Sequence, residues 1–241
     1  MQAEEAPDIG WVARLSGRPV AAATRAVAEA AAAHRLFEHL AREHRAEGRA
    51  SYIEIDAPLE LYALARLGRP RHVVEVGVSS GVSSAYLLAA LERNGLGTLH
   101  SVDLPSRPRR APVRPGGASW SLPPGRSSGW AVPLALRRRW DLRLGDKADV
   151  LPLLARELPR IDLFVYDVPH NDAATLRELE MVDRRMRAGS VAIVDHGPGG
   201  ELCSALRRWS RSHGSEPVGR AGLGLYGARR GPRAGRGRPG A

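Results

Sequence analysis

Glu75, Asp103, Asp167 and Asp195 each stand at or beside the C-terminal end of an apolar, β-branched run, where a strand gives way to a turn. The first is followed at once by Gly77 and Gly81, four apart, with Ser79, Ser80, Ser83 and Ser84 crowding the same turn. Missing Cβ atoms let backbone come close to a ligand, and in open α/β sheets the carboxyl edge of the strands faces the crevice where ligands bind. A dinucleotide fingerprint would add a third glycine at the helix start to seat a pyrophosphate. The pattern here is E-x-G-x-x-x-G, and the Glu75 carboxylate opposes a pyrophosphate and suits a cation. A ligand carrying an ammonium and a sulfonium matches that charge. Asp is common where strands become turns, which accounts for two such acids more easily than for four. Asp103 lies 26 residues after Gly77, where an acid can bind the ribose of an adenosyl or a dinucleotide ligand alike. Asp146 can face an adenine amino group or cap the helix after it. His170 sets a proton acceptor beside these carboxylates; its plainer role is to cap the next helix with Asn171.

These side chains need an alternating scaffold to meet. The stretch 72–78 reads as a buried parallel strand and 82–91 as a helix stopped by Asn94-Gly95. Strands follow at 97–104, 140–146, 161–167 and 190–196, with a last one at 222–230 at or near a sheet edge. Helices are expected over 147–157, 172–187 and 200–213. Strands alternating with helices make a Rossmann-like, doubly wound, mostly parallel α/β sheet with helices on both faces. Two helices precede it. One covers 20–47, with Val27, Ala30, Ala31, His34, Phe37, Leu40 and Ala41 on a single stripe. The other runs 57–67, capped by Asp56, with Pro58 in its first turn. Residues 1–70 are therefore expected as a helical cap over the crevice, with 71–230 as the main domain. Within it, 105–139 is too long and Pro/Gly/Arg-rich for an ordinary connection and reads as a lid-like loop, helical only at its end.

The chain has 241 residues, 43% of them hydrophobic, enough for one α/β domain. A single cysteine, Cys203, fits a reducing cytoplasm. No apolar run approaches a membrane span, and the acidic N-terminal residues do not resemble a signal peptide. A soluble, cytoplasmic protein without membrane attachment is expected. The formal charge of +10 suggests nucleic acid, but eight arginines fall in 105–140 and five in 229–241, with no acid in either stretch. Without them 23 basic residues face 26 acidic ones, so the folded core is not basic and nucleic acid is disfavoured as a partner. Residues 231–241 are expected to be a disordered basic tail.

The segments "VVEVGVSSGVSSAYLLAALERNGLGTLHSVDLP", "RRRWDLRLGDKADVLPLL", "IDLFVYDVPHND" and "RAGSVAIVDHG" run in the order and spacing of class I S-adenosylmethionine-dependent methyltransferases. Over residues 57–228 the chain resembles the bacterial small-molecule branch with a D-x-x-H motif, similar in layout to catechol and macrolide O-methyltransferases. The resemblance implies S-adenosylmethionine held by Glu75, Gly77, Ser79, Gly81, Asp103 and Asp146. It implies a divalent metal, usually magnesium, on Asp167, Asp195 and His196, and His170 as the base that takes the substrate proton. The family usually has Asp or Asn where this chain has His196. Imidazole suits zinc, manganese or iron better than magnesium, so either the metal differs or His196 turns away. A dication lowers the pKa of an acceptor hydroxyl, and a mostly neutral histidine can accept its proton. The expected acceptor is a hydroxylated small molecule, such as a sugar or natural-product scaffold.

Three other readings stay open. "DVPH" is near the D-P-P-Y motif of amino methyltransferases acting on nucleic acid, but lacks its first proline and its stacking aromatic. A nicotinamide oxidoreductase is opposed by Glu75 and the missing third glycine. A non-catalytic S-adenosylmethionine-binding module finds its one hint in His196. Homo-oligomerisation is left open.

Overall fold

A computed structural model describes residues 6–46, 57–105, 122–123, 125–168, 171–196, 201–220 and 223–231. Seven strands form one sheet in the order β3-β2-β1-β4-β5-β7-β6. They are β1 (His72–Val76), β2 (Thr98–Asp103), β3 (Trp140–Leu144), β4 (Ile161–Tyr166), β5 (Met186–Asp195), β6 (Val218–Arg220) and β7 (Leu225–Arg229). β1 to β5 are parallel, and β7 runs antiparallel to both β5 and β6. The chain winds outward from β1 through β2 to β3, then returns to place β4 on the other side of β1. The carboxyl ends of β1 and β4 thus flank the point where the strand order reverses, the usual ligand crevice of such sheets.

Alternation along the strands feeds two cores. Val73, Leu99, Val165 and Ile193 face one layer of helices, comprising α1 (Ile9–Ser16), α2 (Val20–Ala31), α4 (Pro58–Gly68) and α5 (Val82–Asn94). Val74, Val102, Phe164 and Val194 face the other, built from α6 (Lys147–Glu157), α7 (Asp172–Asp183) and α8 (Ser204–Ser212). Each fully buried Val, Leu, Ile or Phe contributes about 1.5–3 kcal/mol.

The helices before β1 pack on the sheet itself. α1, α2 and α4 share their core with the sheet, and α1 packs directly on β5, β6 and β7. The buried Trp11 donates its indole N–H to the carbonyl of Val218 (2.8 Å), and the buried Arg220 guanidinium lies 2.9 Å from Glu60. α1 was missed although both its signals are present: Asp8 accepts from the amide of Trp11 (2.8 Å), and Gly17 closes the helix in the left-handed region. The single helix expected over 20–47 is two, α2 and α3 (His34–Ala46), with a break at Ala32–Ala33. Nothing in an alanine run marks that break. Its consequence is that Phe37, placed on the buried stripe, is 55% exposed, while α3 leaves the layer for the carboxyl edge of the sheet. Asp56 lies outside the described residues; Ala57 holds the cap position of α4.

β5 begins earlier than expected, β3 and α7 end earlier, α8 spans only 204–212, and β6 was not anticipated. β6 is the edge strand, with β7 between it and β5. The helical end of the long loop is a 3₁₀ turn over Leu134–Arg139. Most of that loop (106–121 and 124) and the tail from 232 lie outside the described residues. Among the described residues no helix is long and apolar enough to cross a membrane.

Candidate active site

The turn between β1 and α5 is held from three sides. Gly77 has φ +94°, Ser79 +51° and Gly81 +95°, all in the left-handed region. The Gly77 amide donates to the carbonyl of Val102 (2.9 Å), and a Cβ on Gly77 would collide with the carbonyl oxygen of Asp167. This position is therefore glycine because two strand ends converge on it. Asp103, closing β2, accepts from the Ser79 amide through Oδ2 (3.0 Å) and from the Leu104 amide through Oδ1 (2.8 Å). Burial pushes its pKa up, against the lowering pull of hydrogen bonds from Ser128 and these amides. A carboxylate has about four acceptor sites, and Ser128 shares those that the Ser79 and Leu104 amides leave.

Glu75 is fully buried at the end of β1. Its side chain points to the α5 face of the sheet and has no exposed surface. Both oxygens are occupied: Ser83 donates at 2.7 Å, Ser84 at 2.6 Å and Ser101 at 2.7 Å. Burial raises its pKa, the three hydroxyls pull it back down, and the nearby Asp103 charge adds to the rise. Glu75 is thus a sealed carboxyl group behind the start of α5. It stiffens the turn from beneath rather than offering an open carboxylate to a ligand. Ser83 and Ser84, two of the hydroxyls that crowd the turn, are its donors.

Gly81 lies under the end of the long loop. A Cβ there would run into Val132 and Gly129, because the described end of the long loop folds back onto the turn. The Gly129 amide donates to the carbonyl of Ser79 (2.8 Å) and the Ala131 amide to that of Ser80 (3.0 Å). Trp140 supports the same segment, lying under Gly129 and donating its indole N–H to Ser101 Oγ (2.9 Å). α3 completes the cover. His44 Nε2 lies 3.0 Å from Ser80 Oγ, its ring packs 5.1 Å from that of Trp130, and His39 Nε2 lies 3.0 Å from the carbonyl of Ala131. Neither histidine was singled out from the sequence, because two histidines on a polar helix carry no spacing signal.

Asp146 caps α6, accepting from the Ala148 amide at 2.8 Å. Asp167 directly follows β4, and the buried Asp195 ends the neighbouring β5. The His196 amide donates to the carbonyl of Gly224 (3.1 Å), and its ring meets Tyr226 edge-on at 5.9 Å, on the β7 side. His170 lies outside the described residues. Among the described residues no three His, Cys, Asp or Glu side chains converge in a way that could hold a metal ion.

A family model described as a methyltransferase domain matches residues 74–196, slightly more than half of the chain and the whole span from Glu75 to His196. The chain belongs to this methyltransferase family. Solved structures agree on the fold of the methyltransferase. The O-methyltransferase TomG from Streptomyces achromogenes, determined with S-adenosylmethionine, is 20% identical with a TM-score of 0.53, over 81% of this chain and 89% of that one. Cofactor-bound Rv0187 from MTB is 19% identical at a TM-score of 0.53, over 83% and 91%. A methyltransferase from Geobacter sulfurreducens is 18% identical at 0.52, over 82% and 88%. No curated protein sequence matches the methyltransferase.

Proposed function

We propose that this methyltransferase moves the methyl group of S-adenosylmethionine to a hydroxyl oxygen of a small molecule. The observation that carries the reading is the Ser79–Asp103 contact. It fixes an acid at the end of β2 against a left-handed turn at the switch point, in a chain of a methyltransferase family. Asp103 would bind the ribose hydroxyls, Gly77 would let the backbone approach the ligand, and Asp146 would face the adenine from the start of α6. Ser79 and Gly81 would shape the turn against the ligand, Gly81 by admitting the 129–132 segment. TomG, with the cofactor bound, shares this fold, which supports the choice of donor.

The reaction is an in-line displacement at the sulfonium methyl. The acceptor oxygen forms the new C–O bond, the C–S bond breaks, and S-adenosylhomocysteine leaves. The proton of the hydroxyl goes to the imidazole of His170. Asp167 and Asp195, on adjacent strand ends, supply negative charge near the sulfonium. They are oxygen donors of the kind magnesium takes, but with His196 turned to Tyr226 they do not make a three-ligand centre. Magnesium takes one or two carboxylates and keeps waters, so these two acids are the residues that would hold the divalent ion implied by the resemblance, where it would lower the pKa of the acceptor hydroxyl; no step is routed through it. The test is uptake of labelled methyl from S-adenosylmethionine by a panel of hydroxylated metabolites. Incorporation at oxygen supports the proposal; incorporation only into nucleic acid overturns it.

A further inference from the structure

The chain carries 36 basic residues, and only one of them, Lys147, is a lysine. It is the first residue of α6, and its ammonium reaches across to two other elements. Nζ donates to Tyr166 Oη at 2.7 Å and lies 2.5 Å from Glu178 Oε1. Tyr166 is the last residue of β4 and fully buried; Glu178 sits midway along α7 and is also buried. Burial and the Glu178 carboxylate beside it push the Tyr166 hydroxyl well above its ordinary pKa, which keeps it a neutral hydrogen-bond partner. The geometry explains the residue type. Two acceptors on different elements share one compact cation with three rotatable donors, where a planar guanidinium fork would not fit the same gap. Stability alone is a poor reason for the arrangement, since burying a charge pair costs desolvation that its attraction barely returns.

What the three residues share is their place in the chain. Lys147 follows Asp146, Tyr166 precedes Asp167, and Glu178 lies on the helix that begins just after His170. We propose that Lys147 is a positioning residue that ties the β3–α6 turn, the end of β4 and helix α7 into one rigid edge of the cofactor site. The inference rests on the reading that S-adenosylmethionine binds there. Removing both charges together avoids stranding a buried carboxylate, so Lys147→Met combined with Glu178→Met should fold with a melting temperature close to that of the wild type. Its affinity for S-adenosylhomocysteine, measured by calorimetry on the full chain, should fall about tenfold, and kcat about 10- to 100-fold, as expected when reacting groups shift by an ångström. A purely structural tie would move the melting temperature and leave both values alone. A folded double variant with wild-type affinity and kcat overturns the proposal. If that variant does not fold, Tyr166→Phe removes one arm of the tie, and unchanged affinity there overturns it as well. Wild-type protein that does not bind S-adenosylhomocysteine overturns the cofactor reading, a result distinct from a binding wild type with unaffected variants.

Discussion

The backbone of Gly77 lies against the carbonyl oxygen of Asp167, with no space for a side chain between them. This contact joins the two strand ends that flank the crevice, and it is made by the glycine whose φ of +94° already disfavours any other residue. Gly77→Ala should therefore lose about 1–2 kcal/mol for the left-handed backbone and about 1–3 kcal/mol more for overpacking. Urea unfolding measures it; a loss below about 0.5 kcal/mol, typical of a neutral surface change, would mean that the strand ends can part freely.

Asp103→Asn keeps the shape of the side chain and removes its charge. A hydrogen bond to a charged group is worth about 1.5–3 kcal/mol, so cofactor affinity should fall by about 10- to 100-fold. Stability should also fall, by about 1–3 kcal/mol, because the single amide oxygen can accept from only one of the Ser79 and Leu104 amides and leaves the other without its partner. Calorimetry with S-adenosylhomocysteine reads the first and thermal melting the second. Gly81→Val is a poorer probe of the ligand, since its branched side chain would strike Val132 and Gly129; it should destabilise the protein whether or not ligand is present.

Glu75 gives a pH signature. Its pKa is raised above the ordinary 4.5 on folding, so the folded chain holds a proton that the unfolded chain releases. Stability from this group is complete below about 4.5 and is lost as pH rises towards the folded value. Glu75→Gln has no such titration. Unfolding free energies measured from pH 4 to 8 should show the variant gaining on the wild type as pH rises. Parallel curves would contradict the account of Glu75 as a sealed carboxyl group with a raised pKa.

Much of this was legible beforehand for a physical reason. Where one periodicity dominates, as in the β1 valines or the alanine- and leucine-rich α5, the pattern fixes the element, and alternation fixes the sheet. The break between α2 and α3 was hidden because alanine tolerates either a continuous or a bent helix. β6, three residues long, is too short for alternation to register. At the site, the residue type of Glu75 is plain in the sequence and its direction is not. Whether a strand-end carboxylate faces the crevice or the helix beneath depends on Ser101, on the neighbouring strand and 26 residues away, and no local spacing reports that. The role of Lys147 was invisible for the same reason, since Tyr166 and Glu178 meet it only in the folded sheet.

His170→Ala should leave affinity for S-adenosylhomocysteine within about twofold while lowering kcat by about 10²–10⁴, the usual worth of a positioned general base. The residual rate should rise with pH as the acceptor hydroxyl ionises unaided. Full activity in the variant would assign His170 to the capping of α7 with Asn171.

The central claim is that the turn at Gly77–Gly81 and the acid at Asp103 form a site for S-adenosylmethionine. Its most direct measurement is titration calorimetry of the full chain with S-adenosylhomocysteine and, separately, with NAD. The account predicts saturable one-site binding of S-adenosylhomocysteine that weakens in Asp103→Asn, and no binding of NAD. Saturable binding of NAD with no heat from S-adenosylhomocysteine would contradict it.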